Sequence, residues 1–143
     1  MKKKILIVVS KYYNDISGKL LINAKNSLLK KYNIKILNVP GAFEIPVIIS
    51  KYINKFDGVV ALGCIIKGKT PHFNFISQAI NNAIINLSII HKKPIGNGVL
   101  TCLNKKQAIL RVKKGKEAAN AVIAVLSSKW KLIILHIKIL ELL

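Results

Sequence analysis

A chain of 143 residues fits one domain, residues 1–143, able to hide roughly two-thirds of its unfolded surface. Two cysteines, Cys64 and Cys102, and three histidines supply neither a disulfide framework nor a metal-ligand spacing, which argues against secreted or zinc-held scaffolds and for a reduced, cytoplasmic protein. The formal charge of +19 raises a nucleic-acid partner, but 25 Ile, 23 Lys and 13 Asn mark the bias of AT-rich coding DNA and the lysines are scattered, so background charge is the favoured reading.

Lysines 2–4 followed by the apolar residues 5–9 imitate a signal peptide. That run is shorter than the roughly 7–15 residues such a signal needs, so residues 4–9 read as a buried first strand. Residues 17–31 carry Leu20, Leu21, Ala24, Leu28 and Leu29 at helical spacing. A second strand over 34–39 ends at Pro40-Gly41, and 43–53 resumes a helical period that tolerates Pro46 only in its first turn. Residues 58–62 form a third buried strand, with Gly63 opening the turn after it. The longest helix runs over 71–91, its stripe formed by Phe75, Ile76, Ala79, Ala83, Leu87 and Ile90, until Pro94. A fourth strand follows over 98–101, then helix from 105 to about 126 with a break near Lys113-Lys114-Gly115. Residues 132–140 are apolar, but Lys131, Lys138 and Glu141 interrupt them short of the ~18–20 residues that span a bilayer. A packed or subunit-facing helix, or an added strand, is expected there, and no membrane partner.

Strands alternating with helices imply a parallel sheet between two helical layers, joined by right-handed crossovers. Ligands gather at the carboxyl ends of such strands. Here those ends are the turns at 10–14, 40–44, 63–72 and 101–104.

Threonine followed by proline reads as a helix start, with Thr70 as the cap and Pro71 in the first turn. Free backbone N–H groups at that helix end favour an anion, Gly68 lets backbone approach it, and Lys67 and Lys69 add positive field. His72 stands beside it, and an imidazole ordinarily titrates near neutral pH. A capped helix with an exposed histidine fits the local sequence equally well. Glu44 is one of five acidic residues and falls at a strand end; Tyr12 and Tyr13 fall at another, where an aromatic can stack on a planar ring or merely cover the core edge. Arg111 is the only arginine among 24 basic residues, as a site needing a planar, bidentate donor would require. The spacing Gly63-x4-Gly68-Lys69-Thr70 formally matches a nucleotide-binding phosphate loop. Its intervening Cys64-Ile65-Ile66-Lys67 is bulky and β-branched, no acidic partner follows, and nucleotide hydrolysis is disfavoured.

Taken in order, Val39-Pro40-Gly41-Ala42-Phe43-Glu44-Ile45-Pro46, then Ala61-Leu62-Gly63-Cys64-Ile65-Ile66-Lys67-Gly68-Lys69-Thr70-Pro71-His72-Phe73, then Ile95-Gly96-Asn97-Gly98-Val99-Leu100-Thr101 with Asn104, Gln107 and Arg111, resemble the 6,7-dimethyl-8-ribityllumazine synthase family. The resemblance implies a flavodoxin-like α/β fold, a three-layer α/β/α sandwich around a four-stranded parallel sheet. It implies a transferase of riboflavin biosynthesis that condenses 5-amino-6-(D-ribitylamino)uracil with 3,4-dihydroxy-2-butanone 4-phosphate, releasing phosphate and water, with no metal and no cofactor. Carried over by position, Tyr12 stacks on the uracil ring, and Ala42, Phe43 and Glu44 line the ribityl chain. Cys64, Ile65 and Ile66 meet the pyrimidine through backbone groups, Lys69 and Thr70 hold the phosphate, and His72 moves protons. Asn97 and Arg111 come from a neighbouring subunit, against the ring and the phosphate, and Lys114 lies near the substrate. Such sharing requires an oligomer, and the resemblance implies a homopentamer, in some members built into a sixty-subunit shell. The family places more residues between the counterparts of Arg111 and Lys114, so a shortened turn is expected, and residues 130–143 match no part of the pattern. The alternatives are an archaeal-type riboflavin synthase on the same fold, and an inactive shell-forming or nucleic-acid-binding basic protein.

Overall fold

Ile5, Leu6, Ile7, Val8 and Val9 are completely buried in strand β1 (Lys3–Ser10), because the strand is covered on both faces. The computed structural model describes residues 2–127 and 129–143. After β1 come helix α1 (Asn14–Leu28), strand β2 (Tyr32–Val39), a 3-10 turn (Ala42–Glu44) and helix α2 (Ile45–Tyr52). A second 3-10 turn (Ile53–Lys55), strand β3 (Gly58–Ile66), helix α3 (His72–His91) and strand β4 (Ile95–Cys102) follow. Helices α4 (Lys105–Leu110), α5 (Lys114–Leu126) and α6 (Lys129–Leu142) complete the described chain. The sheet order is β2-β1-β3-β4 with every pairing parallel, which is the three-layer flavodoxin-like arrangement.

Alternation along the strands divides the core in two. Ile5, Ile7, Val9, Val60, Leu62 and Cys64 face Ile16, Leu20, Ala24 and Leu28 of α1 and Ala118, Ala119 and Val122 of α5. Leu6, Val8, Val59, Ala61 and Val99 face Ile45 and Ile49 of α2 and Ile80 and Ile84 of α3. Pro46 sits in the first turn of α2, where its missing N–H costs nothing.

Several boundaries differ from the sequence reading, each for a physical reason. Strand β3 continues four residues past Leu62, because β4 pairs with it as far as Ile66↔Cys102. Strand β4 begins at Ile95 rather than residue 98. Its Gly96, left outside the expected strand, is a contact residue: a Cβ there would strike the backbone of Ala118, so glycine is what lets α5 lie on the sheet. Gly115 does the same where α5 begins, against the backbone of Leu20 in α1. Helix α1 starts and ends three residues earlier than the stripe suggested, with Asp15 in its first turn.

The buried face of α3 is Ile80 and Ile84, flanked by half-buried Ile76 and Leu87; Phe75, Ala79 and Ile90, assigned to the stripe, are exposed. Isoleucine or phenylalanine occupies nearly every side of α3, so periodicity could not select its inward face. The break near Gly115 is real, since α4 and α5 are separate helices. Helix α6 buries none of its residues, and Trp130, Ile133, Ile134 and Ile137 are all exposed. The stretch Lys114–Leu142 is long and apolar enough to cross a membrane, but its first half buries Gly115, Ala118, Ala119 and Val122 in the core.

Candidate active site

The carboxyl ends of β1, β2 and β3 open onto a cleft of about 500 Å³, within the range of small-molecule sites. Tyr12 and Tyr13 enter from the turn after β1, their rings edge to face at 4.9 Å. Tyr12 is 72% exposed, an aromatic face open to a planar ligand, whereas burial, with Tyr12 beside it, pushes the Tyr13 phenol above its usual pKa. Gly41, Ala42, Phe43 and Glu44 form the wall after β2. The Glu44 N–H donates to the Gly41 carbonyl at 3.3 Å and the carboxylate folds back over Gly41, without a hydrogen bond from any described residue. A hydroxylated ligand would find an unclaimed acceptor there.

Cys64, Ile65 and Ile66 supply the floor. Burial, reinforced by neighbouring Cys102, pushes the Cys64 thiol up to about 12, so it is a neutral lining group rather than a nucleophile. The far wall is Gly68, Thr70, His72, Phe73 and Ile76, at the start of α3. Here the helix start moves by one residue from the expected arrangement. Pro71 is the N-cap, His72 the first helical residue, and no side chain caps the end, so Thr70 does not perform the capping assigned to it. The first N–H groups of α3 are thus left without a side-chain acceptor where they meet the cleft, the arrangement an incoming phosphate would complete.

Nine sequence-assigned residues therefore converge in one cleft: Tyr12, Ala42, Phe43, Glu44, Cys64, Ile65, Ile66, Thr70 and His72. Lys69 is exposed in the same loop but does not line it. Tyr13, read with Tyr12 as an aromatic at that strand end, lines it too, and Phe73 and Ile76 line it without having been assigned a role. Ile76 lies one turn beyond His72 on α3, which was the available signal.

A second cleft, about 520 Å³, lies at the end of edge strand β4 and is lined by Thr101, Cys102, Leu110, Arg111, Lys113, Lys114 and Glu117. Asn104 caps α4, its side chain accepting the Gln107 N–H at 2.9 Å while the Gln107 side chain accepts the Leu103 N–H at 2.8 Å. Lys105 bonds Asp15 at 3.1 Å and holds that carboxyl below its usual pKa, tying α4 to the start of α1. One tight turn, with the Lys114 N–H donating to the Arg111 carbonyl at 3.0 Å, leaves both residues lining one cleft. Lys114 pairs with Glu117 at 3.4 Å. Asn97 lines neither cleft. Its amide donates to Asn81 of α3 at 2.8 Å and accepts the Val99 N–H at 3.1 Å. Among the described residues no group of His, Cys, Asp and Glu could hold a metal ion.

Comparison with known proteins gives the family of the chain. The family described as 6,7-dimethyl-8-ribityllumazine synthase matches residues 2–129. A protein of that name from Buchnera aphidicola subsp. Baizongia pistaciae is 44% identical, the match covering 82% of each chain. The one from Vesicomyosocius okutanii subsp. Calyptogena okutanii is 38% identical over 87% of this chain and 84% of its own, and that from Agrobacterium fabrum 37% identical over 92% and 97%. The match to the family ends as α6 begins.

Proposed function

The chain belongs to the 6,7-dimethyl-8-ribityllumazine synthase family, and from that premise we infer how its two clefts divide one reaction. The protein is a transferase of riboflavin biosynthesis that condenses 5-amino-6-(D-ribitylamino)uracil with 3,4-dihydroxy-2-butanone 4-phosphate, forming 6,7-dimethyl-8-ribityllumazine and releasing phosphate and water. Neither the archaeal-type riboflavin synthase nor an inactive basic protein gains support from the comparisons.

In our reading the uracil ring stacks on Tyr12 and meets the backbone of Cys64, Ile65 and Ile66, while Glu44 accepts hydrogen bonds from the ribityl hydroxyls. The phosphate of the second substrate lies on the uncapped N-terminus of α3 beside Thr70, with Lys69 adding field from outside the cleft. This juxtaposition places the amine of one substrate against the carbonyl of the other, and proximity does much of the work. His72 carries protons during imine formation, phosphate departure and ring closure. The phosphate leaves as an anion, which oriented N–H groups and a guanidinium stabilise.

Arg111, Lys114 and Asn97 lie outside the first cleft, so they complete it only if a second subunit presents them. The exposed apolar face of α3, including Phe75, Ile85 and Ile89, supports such a contact, since apolar surface of that extent on one helix calls for a partner. We therefore propose a homopentamer with its sites between subunits, the unit from which a sixty-subunit shell can form. The observation carrying the reading is the convergence of Tyr12, Glu44, Thr70 and His72 on one cleft at the uncapped start of α3. Mixing both substrates with the purified protein tests it: lumazine absorbance and phosphate should rise in equal amounts, and neither should rise without protein at the same rate.

A further inference from the structure

Six of the 23 lysines, spread from residue 2 to residue 93 of the sequence, come together at one end of the sheet. At the amino ends of the strands, opposite the substrate cleft, two adjoining clefts share Lys4, Lys55 and Phe56. Lys2 and Lys3 line one of them and Lys35 the other, with Lys93 closing the first. The only carboxylate lining either is Asp57, and it is already engaged, accepting the Lys4 backbone N–H at 2.7 Å. Lys30 and Lys31, just before β2, add to the same end.

Helix dipoles explain part of this. A lysine near a helix carboxyl end is favourable, and Lys51 and Lys92 occupy such places. They do not explain Lys3, Lys4 and Lys35, which stand on strands and line the two adjoining clefts, Lys4 shared by both. The groove is also more than charged. Phe56 is half-buried against the α2 side of the core yet lines both clefts, and Asn33 and Asn54 line one each. Lys93 is pinned across it, its ammonium donating to the carbonyls of Ile53 at 3.1 Å and Asn54 at 3.4 Å.

We propose that this basic groove at the amino ends of the strands binds single-stranded nucleic acid. Lysines along a groove neutralise backbone phosphates, an aromatic face stacks on bases, and amides reach base edges. A lipid surface is a poorer fit, because the groove is concave and none of its lining residues is an exposed large hydrophobic. The groove is separated from the substrate cleft by the length of β1, eight residues or about 25 Å. Binding there leaves the condensation chemistry untouched.

The test uses the full-length protein and a fluorescein-labelled twenty-nucleotide oligo(U) RNA, read by anisotropy between 50 and 200 mM KCl. With six phosphates neutralised, affinity should fall about 300-fold across that range. In the triple variant Lys3→Gln, Lys4→Gln, Lys55→Gln the slope of log affinity against log salt should drop by about 2, with lumazine synthesis at the wild-type rate as the check on folding. A second variant, Lys19→Gln, Lys106→Gln, Lys116→Gln, removes the same charge elsewhere and should retain the wild-type slope. Equal loss in both variants, or no loss in the first, overturns the groove. Absence of RNA binding at 50 mM KCl also overturns it, as does binding to phosphatidylglycerol vesicles that oligo(U) does not compete away.

Discussion

The same substitution, glycine to alanine, should act in opposite directions at two positions of this fold. At Gly18, inside α1, an added Cβ meets nothing within 4 Å. Alanine there removes unfolded-chain freedom and improves helix propensity, a gain of about 0.5–1 kcal/mol. At Gly96 in β4 the added Cβ collides with the Ala118 backbone and lies 3.1 Å from a methyl of Val122. No flexible side-chain end can yield, so α5 must move off the sheet. Overpacking of this kind costs about 1–3 kcal/mol, and the entropic gain of alanine offsets well under half of the larger figure. For a domain this size about 1 kcal/mol moves Tm by roughly 3–4 °C. Gly18→Ala should therefore raise Tm by about 2–4 °C and Gly96→Ala lower it by about 3–9 °C, in parallel thermal melts followed by circular dichroism. Because α5 begins with Lys114, Gly96→Ala should also raise the KM for the butanone phosphate. Equal Tm values for Gly96→Ala and wild type would refute the close packing of α5 on β4.

The remaining predictions concern the site and its supports. His72→Ala should lower kcat by about 10²–10⁴ with little change in either KM, and Arg111→Lys should raise KM for the phosphate substrate about tenfold while kcat holds; steady-state kinetics separate the two. Asn104→Ala removes the cap of α4 and should cost about 1 kcal/mol, read as a lowered urea midpoint. Cys64, its thiol pushed to about 12 from an ordinary 9.0, should resist a thiol reagent at pH 8 until urea unfolds the chain. The folded state holds that proton more tightly than the unfolded one. Its contribution is therefore intact below about pH 9 and is lost as pH rises from there towards 12. Tm should fall through that window, more steeply in wild type than in Cys64→Ala.

Strands β1 and β3 were legible because burial on both faces leaves continuous apolar runs, and the turn residues after them were legible because a parallel sheet puts ligands there. Thus Tyr12, Glu44, Thr70 and His72, far apart in sequence, could be assigned to one end of one sheet before their cleft was seen. What stayed hidden depended on contacts between elements. Gly96 is indistinguishable in sequence from a turn glycine until α5 lies on it. The inward face of α3 could not be chosen among its isoleucines, because one side packs on the sheet and another is left for a partner. Lysines 4, 35 and 55 came together only when β1, β2 and the 3-10 turn after α2 were brought side by side. Arg111 and Lys114 could each be assigned to the substrate, but the tight turn that keeps them in one cleft is a property of α4 and α5 in space.

In the proposed assembly one reaction is completed by two chains: His72 from one, Arg111 from its neighbour. Co-assembling the inactive variants His72→Ala and Arg111→Ala in equal amounts tests it directly. If sites lie between subunits of a ring, about a quarter of them receive both intact residues, and the mixture should recover about a quarter of wild-type lumazine synthesis. If both residues act within one chain, the mixture will show only the average of its two parents, and the shared site is wrong.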